Sequence, residues 1–88
     1  MSDQNEVAKK VIELAAGQVG VAPNELTRNT HFINDLNYDS LDAVEFAMSI
    51  EDAFDIRFPD DKVEAVQTVG QAIDFVLVQL ESSQQATT

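Results

Sequence analysis

The stretch Asp35–Phe54, DLNYDSLDAVEFAMSIEDAF, sets a serine at a turn and then runs acids and apolar residues down a helical spacing. Asp39 stands where it would cap a helix beginning at Ser40, and Asp42, three positions on, stands where it would answer as in a capping box. Projected at about 100° per residue, Ala43, Phe46, Ala47, Ile50 and Phe54 share one face, which reads as the core face. The opposite face gathers Leu41, Val44 and Met48 with Glu45, Asp52 and Asp55, and Glu51 lies at its edge. A helix built only for packing has no need of three sizeable apolar residues there.

Outward from this stretch the chain supplies its support. From about Glu6 to Val19, Val7, Val11, Leu14, Ala15 and Gln18/Val19 follow amphipathic helical spacing, with Lys9, Lys10 and Glu13 on the other side. Gly17 and Gly20 are both candidate stops, and Pro23-Asn24-Glu25 opens one short turn ending near Leu26. From Thr27 to Asn37 no clean period survives. Leu26, Phe32, Ile33 and Leu36 stand there singly in polar company, as in a long loop pinned across a core. On the C-terminal side, Pro59-Asp60-Asp61 starts a short helix to about Val66. Thr68 and Gln71 form a second capping box, and Val69, Ile73, Val76, Leu77 and Leu80 supply the apolar stripe of a last helix. The expectation is an all-α fold: a small four-helix bundle with a long loop between the first two helices and a short third helix. A single domain is expected over 1–81, followed by a frayed polar tail at 82–88.

Charge narrows the function classes. The 88 residues hold sixteen acids against five Lys and Arg, for a net charge of −11. Residues 35 to 64 alone contribute ten acids and two bases. Neither nucleic acid nor an anionic membrane surface gains Coulomb energy from such a chain, so basic protein surfaces are the expected partners. The absence of cysteine excludes disulfides, thiolate zinc sites and cysteine nucleophiles together. No basic start followed by an apolar run marks a signal peptide and no segment has the length of a membrane span, so a cytoplasmic monomer without membrane insertion is the expectation.

Three roles compete at the central stretch. Asp35, Asn37 and Asp39 match the first three ligand positions of an EF-hand calcium loop, but Ser40 replaces the tight-turn glycine and Phe46 the bidentate glutamate. An acidic EF-hand-like calcium-binding or protein-interaction module is therefore the alternative reading. A hydrolase nucleophile at Ser40 would need the two glycines of a G-x-S-x-G elbow, which Tyr38 and Asp42 replace, and His31 would have to be its base. Acids on both sides also oppose a developing oxyanion. The third role is an ordinary helix N-cap. Since Asp39 alone caps the helix, however, the serine hydroxyl is left to point outward beside the apolar and acidic face.

The run Asp35-Leu36-Asn37-Tyr38-Asp39-Ser40-Leu41-Asp42 resembles the D-L-G-x-D-S-L-D signature of acyl carrier proteins. Val44-Glu45-Phe46-Ala47-Met48 through Glu51-Asp52-Ala53-Phe54 is similar to that family's second helix, and Leu26 to Phe32, Ile56 to Asp61 and Thr68-Val69-Gly70 resemble its flanking segments. The resemblance covers Val7 to about Leu80 and makes 1–81 an acyl carrier domain. It implies that Ser40 is an attachment point with no catalytic role. A phosphopantetheinyl transferase moves 4′-phosphopantetheine from coenzyme A to this serine as a phosphodiester, and acyl groups ride as thioesters on the arm's terminal thiol. A chain without cysteine has no thiol of its own, which agrees with a thiol brought in on a cofactor.

By the same resemblance, Asp39, Leu41, Asp42, Val44, Glu45, Met48, Glu51 and Asp52 form the patch read by basic grooves of the transferase and of acyl-processing enzymes. The bundle interior at Phe46, Ile50, Phe54 and the last helix would shelter the acyl chain. Acidity and a free-standing chain point to fatty-acid biosynthesis, with related polyketide or specialised lipid pathways as alternatives; the G-G-x-S-[LI] pattern of peptide-synthesis carriers is absent. Two positions depart from the family pattern. Asn37 replaces a glycine but tolerates left-handed backbone, and Tyr38 puts a large ring where a small residue is usual, with an expected bearing on docking. Self-repulsion among the sixteen acids predicts a melting temperature that rises as salt is added, and a fall would contradict it.

Overall fold

The computed structural model describes residues 4–86, with side chains through Glu81. Four helices follow in order: α1 (Gln4–Val19), α2 (Ser40–Phe54), α3 (Asp60–Ala65) and α4 (Val69–Ala86), with one 3₁₀ turn at Pro23–Glu25. This is the expected all-helical bundle, and the long loop lies between α1 and α2. Helical backbone at the C-terminus enters the stretch read as a polar tail and reaches Ala86, while 87–88 lie outside the described residues. No helix among the described residues is long and apolar enough to cross a membrane.

The ends of the helices follow from local chemistry. Gly20, at φ 74°, is the stop of α1, and the Val21 N–H reaches back to the Ala16 carbonyl at 3.1 Å in the manner of a Schellman closure. Gly17 stays inside the helix. At the end of α2 the same closure is made by a non-glycine residue: Asp55 turns left-handed at φ 55°, and the Ile56 N–H meets the Glu51 carbonyl. Asp55, placed by projection on the outward face of α2, is therefore the residue that ends it. Thr68 and Gln71 form the second box as expected, with Gln71 N donating to Thr68 Oγ1 and Thr68 N to Gln71 Oε1.

The core is drawn from α1, α2, α4 and the connections between helices. Val11, Ala15 and Ala16 of α1, Ile50 of α2, and Val69, Ala72 and Val76 of α4 are fully buried. Leu26, Phe32, Tyr38 and Phe58 add the large side chains of the connections. The long loop is pinned across this core as expected, with one correction. Ile33 is 62% exposed, because Phe32 takes the inward direction and leaves its neighbour outside.

Backbone pairing holds the loop in place. Phe32 N donates to the Gln67 carbonyl, Val69 N to the Thr30 carbonyl and Gly70 N to the Arg28 carbonyl, all within 3.0 Å, around an antiparallel bridge between His31 and Thr68. Arg28 closes over the start of α4 with two contacts to Asp74 at 2.8 and 2.9 Å, an exposed pair that contributes little by itself. Gly70 is the tight point of this seam, since a Cβ there would lie 3.0 Å from the Arg28 carbonyl oxygen that Gly70 itself holds. Gly70→Ala should lower stability by about 1 to 2 kcal/mol in denaturant titrations despite alanine's better helix propensity, because the crowding outweighs it. An unchanged or raised midpoint would contradict that.

Candidate functional site

The site is built at the junction of loop and α2. Asn37 takes the left-handed conformation at φ 58° expected of it, and its N–H donates to the Ile33 carbonyl. Tyr38 follows, with its N–H on the Phe32 carbonyl and its ring turned inward. The ring packs against Phe32 and Phe46 with centroids 5.0 and 6.1 Å away, and its hydroxyl donates to the Ala15 carbonyl on α1 at 2.7 Å. Only 4% of the residue is exposed, so its bulk is taken up by the core and any bearing on docking is indirect.

At Asp39 and Asp42 the reciprocal box is complete. Asp42 N donates to Asp39 Oδ1 at 2.9 Å, and Asp39 N donates to Asp42 Oδ2 at 3.2 Å. Ser40 is thus the first helical residue, not the cap. It is exposed, and among the described residues nothing hydrogen-bonds its hydroxyl.

Along α2 the outward face divides by role. Leu41, Val44 and Met48 are 63%, 45% and 60% exposed, large fractions for side chains of this kind. Asp52 is also exposed. The other acids have partners: Gln18 Nε2 of α1 donates to Glu45 Oε1 at 2.6 Å and to Asp42 Oδ1 at 3.2 Å, and Glu51 Oε2 accepts from the Phe58 N–H at 2.8 Å. All eight residues named for the patch therefore lie on the first four turns of α2 or its cap, but four of them also hold structure. That double role is invisible in the sequence, because Gln18 and Phe58 meet α2 only in the fold.

A cavity of about 670 Å³ opens beside Ser40, between α2, α3 and the long loop. Phe46, Ala47, Phe58 and Val63 are among its apolar lining, with Phe32, Ile33 and Tyr38 on the loop side. Its lining overlaps the expected shelter only in part. Phe46 lines the cavity, but Ile50 is sealed in the core, Phe54 packs elsewhere, and α4 contributes no lining residue. Val63 and Phe58 line the cavity without a pattern that marks them so in advance, beyond the presence of an apolar Val63 on a helix too short to pack for its own sake.

The competing chemistries find no support. Asp35 accepts from the His31 N–H and Asp39 from the Asp42 N–H, and no group of three metal-ligating side chains converges among the described residues. His31 is half-buried, its Nδ1 accepts from the Asn34 N–H at 3.2 Å, and no hydrogen bond joins it to Ser40.

Comparison with known proteins completes the description. Residues 9–76 match the family model described as phosphopantetheine attachment site. A protein of Porphyromonas gingivalis named acyl carrier protein is 46% identical over 72 residues, covering 82% of this chain and 92% of its own length. One of the same name from Guillardia theta is 42% identical over 84% of this chain and 91% of its own. The solved acyl carrier protein of Enterococcus faecalis, noted for high thermal stability, superposes with a TM-score of 0.75 at 28% identity, over 89% of this chain and 99% of that one.

Burial pushes the Tyr38 phenol well above the ordinary tyrosine range, and the Asp42 carboxylate adds to the shift. The neutral phenol is thus favoured in the fold, so its stabilising contribution is complete below the unfolded pKa of about 10 and is lost as pH rises beyond it. Since Tyr38 is the only tyrosine, tyrosinate absorbance in an alkaline titration should appear together with loss of helical circular dichroism. Ionisation near pH 10 in a fully helical protein would contradict the buried phenol.

Proposed function

This chain belongs to the acyl carrier protein family, and we propose that Ser40 is the residue through which it does the family's work. The protein is a carrier, not an enzyme, and holds acyl groups on a covalent 4′-phosphopantetheine arm. The arm supplies the thiol that forms the thioester, chemistry that a cysteine-free chain lacks.

One observation carries the assignment to Ser40. Asp39 and Asp42 satisfy the helix terminus between them, so the serine is spared from capping and presents an uncommitted hydroxyl to solvent. The position suits a phosphodiester, which carries one negative charge and would lie by the positive end of α2. Asp39 and Asp42 partly oppose that charge, so a covalent bond must hold the group there. The cavity between α2 and α3 begins at the same residue, and its apolar walls offer an acyl chain a place out of water.

The exposed face of α2 is the docking surface in this reading. Leu41, Val44 and Met48 supply apolar contact, and Asp39, Asp42, Glu45, Glu51 and Asp52 supply the field that steers basic grooves of a phosphopantetheinyl transferase and of acyl-processing enzymes. The contact is small, as suits partners that must exchange. Fatty-acid biosynthesis in the cytoplasm by a monomeric carrier is the setting that this charge and this patch favour.

Incubated with coenzyme A and a phosphopantetheinyl transferase, the wild type should gain the mass of one arm and Ser40→Ala none. The variant should keep the helical spectrum and a stability within about 0.5 kcal/mol of the wild type, as an exposed substitution outside any cap does. An arm on the alanine variant would overturn the assignment.

A further inference from the structure

The cavity beside Ser40 ends against aromatic rings. Phe32, Tyr38 and Phe46 all line it, and they pack on one another with centroids 5.0, 5.2 and 6.1 Å apart. On their far side is α1, because the Tyr38 hydroxyl that completes the cluster is bonded at 2.7 Å to the carbonyl of fully buried Ala15. Toward α4 the closure is made by Phe58, which lines the cavity and stacks on Phe75 with centroids 4.4 Å apart and planes 25° from parallel. Neither α1 nor α4 contributes a lining residue, so the space stops at this aromatic wall and does not continue into the bundle interior.

We infer that Tyr38 is a specificity-determining residue: its ring, hung from Ala15, sets the depth of the acyl crevice and so the length of chain the carrier shelters. This rests on the carrier reading of Ser40 and the cavity. Of the rings in the wall, Tyr38 is the one held by a directional bond as well as by packing, so it has the least freedom to tilt aside for an incoming chain. Each methylene that enters the crevice leaves water and favours the folded, loaded form until the chain tip meets the rings. Beyond that length further carbons stay in solvent. The class favoured is therefore straight acyl chains of short to medium length, and longer ones are carried with exposed tips.

The experiment loads the arm-bearing protein with straight saturated acyl groups of increasing length and reads the melting temperature of each. In the wild type the melting temperature should climb with chain length and then level off at a break. Tyr38→Ala should move the break to chains longer by about four carbons, the order of the volume that the ring vacates. Tyr38→Leu, which vacates about a quarter of that volume, should move it by about one carbon. Tyr38→Phe, which keeps the ring and loses only its tether to Ala15, should move the break far less than Tyr38→Ala, even if every melt is lower.

A break at the wild-type length in Tyr38→Ala and Tyr38→Leu overturns the inference while leaving the carrier reading intact. So does a break moved as far by Tyr38→Phe as by Tyr38→Ala. If neither the alanine nor the leucine variant gives a helical spectrum, the ring is a folding requirement and the inference also falls. A wild type whose melt ignores chain length removes the crevice as a shelter altogether, and with it that part of the proposed function.

Discussion

The hydrogen bond from the Tyr38 hydroxyl to the Ala15 carbonyl ties the start of α2 to the middle of α1, and the geometry of the site depends on it. The bond reaches across the core because the backbone before it reverses at left-handed Asn37, which sends Tyr38 inward and Asp39 outward. With the ring locked among Phe32 and Phe46, Asp39 has a fixed position from which to cap α2, and Ser40 has a fixed place at the lip of the crevice. A chain with so little core and so much like charge has few ways to hold a loop this long. It does so with buried aromatic area, which screening by salt does not weaken.

The acids are less uniform than the net charge suggests. Asp39 and Asp42 close the helix terminus, Glu45 and Asp42 hold Gln18 of α1, and Glu51 caps the Phe58 N–H ahead of α3. These groups keep negative charge at the surface and still spend their lone pairs on structure. Leu41, Val44, Met48 and Asp52 carry no such duty among the described residues, so substitutions there bear on docking most cleanly. Arg28 and Asp74 make the one ion pair found among the described residues, and it lies at the loop–α4 seam, away from the docking face.

Most of the fold was legible because its signals are local. Helical spacing in α1, α2 and α4, the Asp39–Asp42 and Thr68–Gln71 boxes, and the tolerance of Asn37 for left-handed backbone each involve residues within a few positions of one another. Ser40 was legible for the same reason. The differences all concern direction in space. Tyr38, expected to bear on docking, is a core residue; Ile33, grouped with the pinned loop residues, is exposed; and the cavity beside Ser40 lies between α2, α3 and the long loop, with Phe46 alone of the expected interior residues in its lining. Nothing in the sequence says which of two adjacent apolar loop residues turns inward, since that is decided by the partner the loop meets: Gln67 for Phe32 and Ala15 for Tyr38. Asp55 shows a limit of projection, because the helix closes at the residue where the pattern would have continued.

The central claim is that a group attached at Ser40 and the crevice between α2 and α3 form one site. The most direct measurement is nuclear magnetic resonance of the uniformly labelled protein bearing an acylated arm, read for through-space contacts between chain protons and side chains. Contacts are expected to Phe46, Ala47, Phe58 and Val63 and none to Ile50, Val76 or other residues behind the aromatic wall. Contacts in the α1–α4 core, or no contact beyond the residues flanking Ser40, would contradict it.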